Sequence, residues 1–78
     1  MKNKVDSKSI EVMMNLIANL LIVKMPTGFD EDDRLHMIFD LTESVKHFCK
    51  TGQKVFLFDE RSENFRAALE MKENNATH

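Results

Sequence analysis

Seventy-eight residues with 42% hydrophobic and 31% charged side chains describe one small folded domain, near the size at which a single core is marginally sufficient. A formal net charge of −2 argues against a chain dedicated to neutralising phosphates. Cys49 is the only cysteine, which excludes an intrachain disulfide and suits a reducing compartment.

The opening stretch MKNKVDSKS is basic and has no apolar run of the kind a signal peptide carries, so residues 1–8 are expected as a flexible segment of a cytoplasmic protein. Then comes IEVMMNLIANLLIVKM, residues 10–25, with twelve apolar side chains in sixteen positions. It is shorter than the roughly 20 residues needed to cross a bilayer, and Glu11, Asn15 and Asn19 interrupt it. Its spacing predicts a helix over about residues 9–25, capped by Asp6, Ser7 or Ser9 and stopped by Pro26. At 100° per residue, Met13, Ile17 and Leu20 lie at the centre of the apolar arc. Val12, Leu16 and Val23 form one flank, and Ile10, Met14, Leu21 and Met25 the other. An arc this wide is about twice what one face of a monomer needs.

A second helix is expected over residues 31–50. PTGFDEDDRL supplies a turn, Asp30 as N-cap, and carboxylates in the first turn where the helix dipole favours them. Leu35, Ile38, Phe39, Leu41, Thr42, Val45, Phe48 and Cys49 recur at helical spacing, while His36, Asp40, Glu43 and His47 fall on the opposite side. Met37 lies at the edge of the apolar arc and is the best candidate for an exposed contact. Gly52 is placed to end the helix in the left-handed conformation. A third, shorter helix is expected over about residues 59–73, capped by Asp59 or Ser62. Residues 54–58 could be extended or helical, and a polar tail over residues 74–78 is expected to fray.

These elements predict an all-α fold, a small three-helix unit assembled as a homodimeric helical bundle. Two short helices can cover one side of the first but not its whole arc, and leaving large side chains in water forgoes roughly 1.5–3 kcal/mol each. The competing arrangement wraps the first helix completely within one chain. The expected self-association surface is Val12, Leu16, Val23 and Met37.

Catalytic equipment is thin. His47 and Cys49 point in different directions on a helix, so they form no activated nucleophile, and Cys49 reads as a small core residue. DEDD fails as a calcium loop, because Arg34 and Leu41 stand where ligands belong. The stripe His36, Asp40, Glu43, His47 resembles a metal-ligand spacing, yet one helix cannot close a tetrahedral site, so a solvated face is the simpler reading. No enzyme activity, cofactor or resident metal is expected.

A helix-turn-helix reading fails where Val55, Phe56, Leu57 and Phe58 follow the turn, since a reading helix needs polar base-contacting side chains there. The basic set Lys46, Lys50, Lys54, Arg61 and Arg66 is sparse. Five internal methionines make a deformable apolar surface suited to partners. The expectation is therefore a small regulatory, adaptor or inhibitor protein that binds another protein. The acidic block Asp30, Glu31, Asp32 and Asp33 would steer a basic partner. A small DNA-associated transcriptional regulator, and a structural subunit of a larger assembly, are the alternatives.

Overall fold

In the computed structural model, residues 5–76 are described, with side chains through residue 71. The described chain is all-helical: α1 Ser7–Ile22, α2 Glu31–Thr51 and α3 Glu60–Ala76, with no strand among the described residues. Residues 1–4 of the expected basic segment and residues 77–78 of the expected tail lie outside that range.

Asp6 begins α1 by accepting the Ser9 backbone N–H at 2.7 Å. The helix ends at Ile22, three residues before the expected boundary, and Val23 is already extended. Pro26 has no N–H to offer the Ile22 carbonyl and restricts the residue before it to extended conformations, so the last helical turn cannot form. Arg34 Nη1, from α2, donates instead to the Leu20 carbonyl at 2.6 Å. Pro26 accepts the Phe29 N–H at 3.3 Å across a tight turn in which Gly28 takes φ 92°.

α2 starts as its sequence demands. Asp30 accepts the Asp33 N–H, and the Asp33 carboxylate accepts the Asp30 N–H in return, a reciprocal capping box. It closes at Gly52, whose φ of 77° is left-handed and whose N–H reaches the Phe48 carbonyl at 2.7 Å. α3 has 17 residues against 16 in α1, so the shortest helix is the first, not the third. Asp59 accepts the Ser62 N–H at 3.0 Å and opens α3, which continues to Ala76, three residues past its expected end and into the segment expected to fray.

Residues 52–59 are neither helix nor strand. A segment without a ladder must find other partners for its backbone N–H groups. It finds them on α2: Leu57 N–H donates to Ser44 Oγ at 2.8 Å, and Asp59 N–H to Asp40 Oδ2 at 3.3 Å. That is why Asp40 and Ser44 are buried although both are polar.

The central helix is α2. Both α1 and α3 pack on it, and among the described residues they make no close helix–helix contact with each other. Leu20, Met37, Leu41 and Phe65 form the core, and Ile17, Phe29, Phe58 and Leu69 pack around them. The Phe29 and Phe65 rings meet edge to face at 5.2 Å. Because α2 turns its Met37, Asp40, Leu41, Ser44 and Phe48 side inward, three sequence expectations fail. Leu35 and Phe39 are each 59% exposed, and Cys49 is exposed instead of buried in the core. Asp40, expected on the solvent side, is inside.

Candidate functional site

An open cleft of about 810 Å³ lies where α1 and α3 diverge over α2. Met37 and Leu41 of α2 form its floor. Leu16, Leu20 and Val23 line the α1 side, and Leu69 the α3 side. Phe56 and Phe58, stacked at 5.3 Å with nearly parallel rings, close one edge. The rims are charged: Lys24 stands on the α1 side, and Glu63, Arg66 and Glu70 on the α3 side. Arg66 lies within 2.8 Å of Glu63 and 2.5 Å of Glu70, which leaves that rim with one carboxylate in excess.

Sequence reasoning placed Val12, Leu16, Val23 and Met37 on one association surface, and the fold divides them. Val12 is 52% and Leu16 38% exposed. Val23 is partly buried against the core. Met37 is only 6% exposed, a correction to its expected place at the edge. With helices packed on both flanks of α2, the buried surface of α2 is wide enough to take Met37 into the cleft floor. Three of the four residues, Leu16, Val23 and Met37, line the same cleft. On the other flank of α1, Met14 and Leu21 are exposed, as is Ile22 at the helix end.

The acidic block has internal work. Asp30 and Asp33 build the capping box, Asp33 also accepts from Arg61 Nε at 2.8 Å, and Glu31 lies 2.9 Å from Arg34 Nε. Arg34 Nε is buried and makes no hydrogen bond, and the pair is hydrogen-bonded instead through Arg34 Nη2, which donates to Glu31 Oε2 at 3.2 Å. Asp33 is held below the usual carboxylate range, first by the Asp30 backbone N–H and then by Arg61. Glu31 and Asp32 remain exposed.

The polar stripe of α2 separates into different contacts. Glu43 pairs with Lys46 at 3.3 Å, and His47 Nε2 meets Gln53 Oε1 at 3.1 Å. His36 and Asp40 turn instead towards the start of α3. His36 Nε2 lies 2.6 Å from Asp59 Oδ2 and 3.7 Å from Asp40 Oδ2. Asp59 is also held below the ordinary carboxylate range, first by the Ser62 backbone N–H and then by His36. Reasoning from the sequence found the i,i+4 pair but missed Asp59 as its third member. Nothing in the helical spacing shows that the cap of the next helix folds back on it.

No helix among the described residues is long and apolar enough to cross a membrane. No protein-family model, curated protein or solved structure matches the chain.

Proposed function

We propose that this chain is a non-enzymatic protein-binding regulator of the adaptor or inhibitor type, which acts as a homodimer paired through the α1–α3 cleft. The observation that carries the reading is the cleft itself, an apolar trough left open beside a helix whose Val12 and Leu16 are still in water. The occupant assigned to it is α1 of a second copy. Helix α1 supplies both a wall of the cleft and the exposed stripe, so a two-fold axis lets each copy lay Val12 and Leu16 over the other's cleft. Covering such half-exposed side chains recovers on the order of 1 kcal/mol apiece. The rims support the same pairing, because Lys24 on the α1 side meets the acidic α3 side of the partner copy.

Direct DNA binding receives less support. Lys46, Lys54, Arg61 and Arg66 each lie within 4 Å of a carboxylate of the same chain. The acidic first turn of α2 is accounted for by capping, and the pairing does not require it.

Sedimentation equilibrium over low to high micromolar concentration tests the proposal. A reversible dimer is expected, and Leu16→Lys should weaken it at least about tenfold, the equivalent of 1.4 kcal/mol. Circular dichroism should stay unchanged, since Leu16 is already partly in solvent. A monomer throughout the range, or a dimer indifferent to Leu16→Lys, overturns the pairing.

A further inference from the structure

We propose that His36, Asp40 and Asp59 form a binding site for a divalent transition-metal ion of the zinc class, which clasps α2 to the start of α3. Each residue offers one ligand atom, and the three atoms lie within 4.8 Å of one another. Ligands about 2.0–2.2 Å from a metal stand roughly 3 Å or more apart, so the 3.7 Å between His36 Nε2 and Asp40 Oδ2 already suits a shared ion, and the 2.6 Å between His36 Nε2 and Asp59 Oδ2 has to open by a few tenths of an ångström. His36 and Asp40 are one helical turn apart on α2, and Asp59 comes from a separate element. That is the closing ligand a single helix cannot supply.

The ligands are already oriented. Asp40 Oδ2 accepts from Ser62 Oγ at 2.7 Å and from the Asp59 N–H at 3.3 Å. Ser62 is 1% exposed, so this support is fixed within the fold. Asp59 Oδ1 is occupied by the Ser62 N–H at 3.0 Å, which leaves Oδ2 facing His36. Hydrogen bonds of this outer kind hold metal-ligating carboxylates in place.

Charge supports the same conclusion. Two carboxylates converge here, one of them buried, and among the described residues no Lys or Arg forms an ion pair with either. The imidazole compensates only when protonated. A divalent cation balances both charges, and one nitrogen beside two oxygens suits zinc and its first-row neighbours better than magnesium or calcium, which prefer all-oxygen shells. The ion takes the place of the hydrogen shared by His36 Nε2 and Asp59 Oδ2: an imidazolium gives that proton to the buffer and keeps the one on Nδ1, whereas a neutral ring coordinates as the tautomer protonated on Nδ1 and releases none. Asp59 is exposed, which gives the ion a way in and leaves room for water to complete its shell. Pinning Asp59 also pins Phe58, its neighbour on the cleft edge. The site does not depend on the pairing proposed above, and a monomer would bind the ion equally.

Titration of chelator-treated protein with zinc chloride, read by calorimetry and by melting temperature, tests the site. One equivalent should bind saturably and raise the melting temperature, with magnesium producing no comparable rise. His36→Ala should weaken zinc at least about tenfold, and Ser62→Ala by about 10–100-fold as for other outer-shell partners. Cys49→Ser should leave binding intact. No saturable binding up to millimolar zinc, binding unchanged in His36→Ala, or binding lost in Cys49→Ser overturns the proposal. Should His36→Ala not fold, NMR of the wild-type chain decides it. The His36 ring resonances must move with zinc, and stationary resonances overturn the site.

Discussion

Ser44 Oγ donates to the Asp40 carbonyl at 2.8 Å and accepts the Leu57 N–H at 2.8 Å, with none of the residue exposed. A hydroxyl can do both at once, which suits it to the point where an irregular segment crosses a helix. Replacing it with alanine removes the acceptor and leaves a partly buried N–H without a partner. The expected cost is about 1–3 kcal/mol, read as a lower urea midpoint at constant slope. Little of this was legible beforehand. Asp40 sits among His36, Glu43 and His47 in the linear pattern, and periodicity sorts such residues to the solvent side. The burial of Asp40 and Ser44 follows from the hydrogen-bond demand of residues 57 and 59, which periodicity does not register. The single glycine that mattered at the end of α2 was legible, because a positive φ there suits only a residue without a Cβ.

At the scale of elements, the helix starts were readable and two helix stops were misplaced, that of α1 at Ile22 and that of α3 at Ala76. Asp6, Asp30 and Asp59 each accept an N–H three residues on, a purely local geometry that sequence spacing encodes. The end of α1 depends on how far ahead a proline acts, and on Arg34 reaching across from α2 to take the Leu20 carbonyl. The first turns of α2 and α3 are joined by Asp33 and Arg61. Asp6, Asp33 and Asp59 all have carboxyl groups held below their ordinary values by the hydrogen bonds they accept. A depressed folded-state value means that ionisation favours the folded chain. That contribution is complete above the unfolded value near about 4 and is lost as pH falls through the folded value. Stability by urea denaturation should therefore be level through the mildly acidic range and drop below about pH 4. Asp33→Asn should show a smaller drop, since one of the titrating groups is gone. An identical acid profile in that variant would remove Asp33 from the account.

For the whole molecule, the thinnest dimension is 19 Å, about two helix diameters of about 10 Å each. Two layers cannot surround a helix, so α1 keeps Val12, Met14, Leu16, Leu21 and Ile22 at least partly in water. The core is correspondingly small, and a few side chains sustain it. Phe65→Ala empties a fully buried ring site against Phe29 and should cost about 3–5 kcal/mol, a large share of the about 5–15 kcal/mol typical of a folded domain, read as a lower melting temperature. Leu21→Ala, at a mostly exposed position, should cost under about 1 kcal/mol by the same thermal melt.

From its order of residues alone, this chain settles that it is helical, where its helices begin, and that its first helix is apolar over a wider arc than one face of a monomer needs. Those properties are local, set by capping, periodicity and the count of apolar side chains within one element. Only the tertiary structure decided which side of α2 turns inward, that Met37 lies beneath a cleft, and that Asp59 joins His36 and Asp40. Those depend on residues far apart in the chain competing for the same neighbours, and no window of sequence contains both sides of such a contest.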